Sequence, residues 1–87
     1  MKLDIVRGAT LYADRVCLRL ESGATILCDW ADVERKDIRL GDTVVIDEVF
    51  TDEGPNMKIV RVMLEERPDN ALSIPRQNTN RQEWSEP

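Results

Sequence analysis

Arg35, Lys36 and Arg39 fall within five positions, just ahead of Gly41-Asp42 and the apolar run at 43–46. Guanidinium and ammonium groups at that density are the side chains that grip phosphate. Arg15 and Arg19 precede them, and Lys58 and Arg61 follow among apolar residues, so these cations are the candidate nucleic-acid contacts. The run at 35–39 also admits plainer roles. Asp32, Glu34 and Asp37 bring its local charge to zero, as in a solvated loop, and a balanced run can equally face a protein.

Other reactive chemistry is thin. The chain has no histidine, no glycine-rich phosphate loop and no Ser/Lys or Cys/His arrangement, so no catalytic residue is assigned and no enzyme is expected. Two cysteines, Cys17 and Cys28, do not make a metal site without histidine or a second cysteine pair, and no metal or cofactor is expected. The net charge of −5 argues against indiscriminate, counterion-driven nucleic-acid binding, while leaving room for a local basic face.

The elements that position these groups follow from patterning. Eighty-seven residues with 41% hydrophobic content support one domain with a modest core. No apolar run approaches the roughly 18 residues that span a bilayer. MKLDIVRGA carries an early aspartate and no long apolar stretch, so it does not read as a signal peptide, and a cytoplasmic protein is expected. Strand patterns dominate residues 3–64. The first strand, 3–12, has Gly8 in its middle, which signals a bulge or bend. Residues 15–20 alternate, with Val16, Leu18 and Leu20 on one face and Arg15, Cys17 and Arg19 on the other. Residues 24–30 form the next strand.

The turn between these two strands fixes their register. A two-residue turn at Ser22-Gly23 would pair Val16 with Asp29 and mix the faces. A three-residue turn, Glu21-Ser22-Gly23, pairs Val16 with Cys28 and Leu18 with Ile26, leaving one face wholly apolar. Arg15 then lies opposite Asp29, Cys17 opposite Leu27 and Arg19 opposite Thr25. Cys17 and Cys28 point to opposite faces, so no disulfide joins them. Residues 31–37 read as a loop or one helical turn, 43–50 as the fourth strand, TDEGPN at 51–56 as a turn, and 57–64 as the last strand. Ile38 and Leu40 are expected to close one end of the core, which Val44 and Ile46 enter. From residue 65 the chain turns polar and proline-containing and reads as a flexible tail, with Leu72, Ile74 and Trp84 as its large apolar residues. The organisation is a β domain over 1–64 and a tail over 65–87.

Five strands, the glycine in the first, the tight hairpin and the longer link before the fourth fit a small OB-type barrel. LRLESGATILCDWAD followed by ERKDIRLGDTVVI resembles the S1-like branch of that fold, which includes bacterial translation initiation factor one. The resemblance rests on Leu18-Arg19-Leu20, Ser22-Gly23, the strand at 25–30, the cations of the link, and Gly41-Asp42 opening the fourth strand. It implies an all-β barrel that binds RNA or single-stranded nucleic acid in translation or transcription. S1-like proteins stack bases on aromatic residues of the outer hairpin face. Here the matching positions hold Arg15, Cys17 and Asp29, and Asp29 is the expected ion partner of Arg15. Tyr12 is the aromatic left nearby to stack. An acidic adaptor or inhibitor, docking on a nucleic-acid-handling machine, is the alternative function. Its contacts would come from the half-apolar Cys17–Leu27 pair and from Trp84 in the tail.

Overall fold

The computed structural model describes residues 1–75 and the backbone of residues 82–85. Strand β1 (Lys2–Leu11) organises the rest because it serves several partners. Lys2 to Ile5 pair with one strand, and Val6 to Leu11 pair with another. The switch falls at a bulge between Val6 and Gly8, where Arg7 is the extra residue, as the mid-strand glycine predicts.

Strands β2 (Arg15–Leu20) and β3 (Thr25–Asp29) form the hairpin in the expected register, with Val16 opposite Cys28, Cys17 opposite Leu27 and Leu18 opposite Ile26. Gly23 adopts φ 94°, and its N–H donates to the Leu20 carbonyl at 3.0 Å, which closes the three-residue turn. Val16, Leu18, Ile26 and Cys28 are buried and Leu27 is exposed. Both cysteines are free, and burial pushes the Cys28 thiol up to about 11.

The stretch read as a loop or single turn is helix α1 (Trp30–Lys36). Trp30, read as the end of the preceding strand, instead starts this helix. Trp30 and Val33, three apart, supply its buried stripe, and Trp30 Nε1 donates to the Tyr12 carbonyl at 2.7 Å. Asp37 ends the helix in the left-handed region at φ 51°, a conformation aspartate tolerates. A short strand β4 (Arg39–Leu40) follows. Gly41, at φ 96°, then turns the chain and donates to the Val6 carbonyl at 2.7 Å.

Strands β5 (Thr43–Thr51) and β6 (Gly54–Val62) make the second hairpin. The turn is shorter than TDEGPN suggests: strand pairing resumes at Gly54, and only Asp52-Glu53 lie between the strands. Val60 is bulged, and β5 pairs with β1 only from Thr43 to Ile46. A 3-10 turn (Leu64–Glu66) leads to β7 (Leu72–Ser73), which pairs with β4, and β8 (Gln82–Ser85) pairs with Gly8 to Leu11 of β1.

The protein is all-β, with antiparallel sheet order β3-β2-β1-β5-β6. No ladder joins β3 to β6 among the described residues, so hydrogen bonds do not close the sheet into the expected barrel. The core cluster takes in Trp30 and Val33 of α1 together with Ile38 and Leu40 of the following segment, all buried. Residues 65–75, grouped with the tail by composition, run along this body, and Leu72 and Ile74 pack against the core. Among the described residues no helix is long and apolar enough to cross a membrane.

Candidate functional site

The cations of the link meet carboxylates of their own segment. Helical spacing brings both Arg35 and Lys36 onto Asp32 Oδ1, three and four residues back, with Lys36 Nζ at 2.5 Å. The Lys36 hydrogen bond, with Arg35 in support, holds the Asp32 carboxyl below its ordinary range. Arg39 Nη2 donates to Asp37 Oδ2 at 3.0 Å, and this bond lowers Asp37 likewise.

On the outer hairpin face Arg15 lies opposite Asp29 in the ladder, as expected, but its ion pair runs to Asp14 at 3.3 Å. The shorter reach within the β1–β2 turn replaces the cross-strand pair. Arg19 is exposed at the far end of the same face, opposite Thr25. Cys17 is half-buried, and its ladder partner Leu27 is 58% exposed. Tyr12 is half-buried in a turn held from two sides, since its N–H donates to the Arg15 carbonyl and its own carbonyl accepts from Trp30.

Two depressions meet at Leu27. One, of about 470 Å³, is lined by Tyr12, Asp14, Arg15 and Leu27. The other, of about 270 Å³, lies where β3, α1 and β6 approach and gathers Arg35 and Lys58 with Asp29 and Asp32. The fold thus brings together Tyr12, Arg15 and Leu27, and separately Arg35 and Lys58. Arg19, Arg39 and Arg61 line neither depression. Trp84 pairs with Ala9 through its backbone, and its side chain, the expected tail anchor, lies outside the described residues. Among the described residues no group of three or more Cys, Asp or Glu side chains is arranged to hold a metal ion.

Sequence reasoning missed the most enclosed polar group. Asp42 is fully buried, and Arg67 clamps it with two bonds, Nε to Oδ1 at 2.9 Å and Nη2 to Oδ2 at 2.8 Å. The same guanidinium reaches Asp37 Oδ2 at 3.1 Å. The partners are 25 residues apart, and no local pattern links them. The exposed Phe50 on β5 was also missed, although an alternating strand containing a lone phenylalanine between acidic pairs was visible.

No protein-family model, curated protein or solved structure matches this chain. Fold and surface define a small antiparallel all-β protein in which most of the candidate phosphate-binding cations meet neighbouring carboxylates. Its exposed large apolar residues include Leu27 on the outer hairpin face, Val49, Phe50 and Val60 on the β5–β6 hairpin, and Met1, Leu3 and Leu64 elsewhere.

Proposed function

We propose that this chain is a non-enzymatic protein-binding module that docks through the outer face of the β2–β3 hairpin. One observation carries the reading. Arg15, Arg35, Lys36 and Arg39 each sit on a carboxylate of the chain itself, while Leu27 stands exposed between two depressions. A cation shared with a carboxylate must give up that partner before phosphate gains from it, which weakens the case for a backbone clamp. Tyr12 and Arg15, residue types enriched at protein interfaces, flank the exposed Leu27. Leu27 would supply the apolar contact, Cys17 its flank, and Tyr12 and Arg15 the rim.

RNA or single-stranded nucleic acid is the second reading, and a specific observation favours it. Tyr12 and Arg15 share one depression, and a ring beside a guanidinium can stack a base. The S1-like resemblance points the same way.

Two experiments separate the readings. Fluorescence anisotropy with short unstructured RNA at two salt concentrations should give no salt-sensitive binding. Binding that weakens steeply with salt would favour the nucleic-acid reading instead. For the protein reading, a partner isolated with the wild-type chain and then purified should bind Leu27→Asp at least about tenfold more weakly, with circular dichroism unchanged. Unaltered affinity of Leu27→Asp would remove the outer hairpin face from consideration.

A further inference from the structure

We propose that the outer half of the β5–β6 hairpin is a second docking element, which inserts Phe50 into an apolar socket on a cationic protein surface. The proposal rests on the protein-binding reading but uses a different part of the molecule, so the two can fail separately.

The hairpin is longer than the sheet needs. Its support from β1 ends at Ile46, and beyond that point residues 47–51 and 54–58 pair with each other alone. A ribbon of two strands gains little stability by itself, so its extension past the sheet is not explained by the core.

Register decides what the ribbon displays. Ile46 lies opposite Ile59, Glu48 opposite Met57 and Phe50 opposite Pro55. Side chains alternate along a strand, so these pairs share the face that is buried in the core at its inner end. Exposure then climbs outward along that face. Ile46 and Ile59 are buried, Met57 is half-buried against the core, and Phe50 is 78% exposed. The face that is core at its inner end carries the exposed Glu48 midway and ends on the protein's sole phenylalanine.

Charge names the partner. Asp47, Glu48, Asp52 and Glu53 against Lys58 leave residues 47–58 at −3, the larger part of the chain's −5. Among the described residues none of these four carboxylates forms an ion pair, whereas Asp32, Asp37 and Asp42 all do. The hairpin tip therefore carries four carboxylates with no ion partner among the described residues, close in sequence to an exposed aromatic ring. Phosphate is repelled by such a tip. A protein surface with lysines or arginines around an apolar pocket complements it in both respects.

The test replaces Phe50 in the full-length chain with the photo-crosslinking residue benzoylphenylalanine, irradiates it in lysate of the source cells, and maps the adduct by mass spectrometry. The same probe at Leu3, an exposed position on β1, is the control. The adducted protein is then purified and its affinity measured for wild type, Phe50→Ala, the pair Asp52→Lys with Glu53→Lys, and Leu27→Asp. The proposal expects an adduct specific to position 50, lying on a Lys/Arg-rich surface of the partner. It also expects Phe50→Ala and the charge-reversed pair each to weaken binding at least about tenfold, the pair with a flattened salt dependence. The absence of a position-specific adduct overturns it. So does an adduct to RNA, to a second copy of this chain or to an acidic surface, and so does unchanged affinity of Phe50→Ala. If Leu27→Asp weakens binding and Phe50→Ala does not, the protein-binding module stands and the hairpin tip is excluded. If neither does, both readings fall.

Discussion

Removing the Arg67 guanidinium should cost about 3–5 kcal/mol of folding stability, the range for stripping one partner from a buried ion pair. The size follows from the geometry at Asp42. That carboxylate is 0% exposed and accepts from three donors, the Arg39 N–H at 2.9 Å, Arg67 Nε at 2.9 Å and Arg67 Nη2 at 2.8 Å. Arg67→Ala leaves a single backbone donor for a carboxylate that water does not reach. It also removes one of the two guanidinium partners of Asp37, leaving Arg39. Small domains hold only about 5–15 kcal/mol in reserve, and each kcal/mol moves Tm by about 4–8 °C at this size. Even the low end of the loss therefore lowers Tm by at least about 12 °C. Thermal and urea unfolding followed by circular dichroism measure it. Arg67→Lys, which keeps the charge and loses the planar fork, should fall between. Ending the chain at residue 64 should lose at least as much as Arg67→Ala, because it removes the same guanidinium together with β7 and β8. A double-mutant cycle of Arg67→Ala with Asp42→Asn should show coupling above about 1 kcal/mol. A loss under about 1 kcal/mol for Arg67→Ala, or strict additivity in the cycle, would refute the assignment of this clamp as a main tie between the residues after β6 and the turn before β5.

Further outcomes follow from the same geometry. Lys36 holds Asp32, and Arg39 holds Asp37, below the ordinary carboxyl value of 3.8. Such groups add stability that is complete above the unfolded pKa and is lost as pH falls through the folded one. The urea midpoint should stay level from neutrality to about pH 5 and fall below about pH 4, less steeply in Asp32→Asn and Asp37→Asn. Burial that raises the Cys28 thiol to about 11 leaves Cys17 as the accessible one, so a thiol reagent at pH 8 should label native protein once and Cys17→Ser not at all. Two labels on native protein would contradict the register. Leu18→Ala should cost about 2–5 kcal/mol and Leu27→Ala within about 0.5 kcal/mol, because the first is buried and the second exposed on opposite faces of one hairpin. Equal costs in urea unfolding would show that the faces had been exchanged.

The hairpin register was legible because only one pairing of Val16, Leu18, Ile26 and Cys28 gives a face without charge, and a strand offers two faces to choose between. The bend at Gly8 and the inward Ile38, Leu40, Val44 and Ile46 were legible for similar local reasons. Helix α1 was half legible. Trp30 and Val33 have helical spacing, but seven residues give too short a window for a period to stand out from the strand before it. The reach of β5 beyond β1 was not legible, since alternation shows that a strand continues and not where its neighbour stops pairing.

Charge is where local reading and structure diverge, and the reason is general. A sequence displays how many cations a segment has, while their availability depends on which carboxylates the fold sets within reach. In the link, helical spacing delivers Asp32 to both Arg35 and Lys36, and the left-handed Asp37 sits beside Arg39. Neutral composition there could be read, but not that the neutralisation is made by direct pairs. On the β5–β6 hairpin the opposite holds. The acidic pairs at 47–48 and 52–53 look like ordinary solvated charges in sequence, and the fold extends them past the sheet beside Phe50 with no cation bonded to them among the described residues. The cations that suggested a phosphate-binding link are therefore held by carboxylates of their own segment, as its neutral composition allowed. The β5–β6 carboxylates have no ion partner among the described residues, so salt should weaken association through this tip by screening the partner's cations rather than by competing for phosphate.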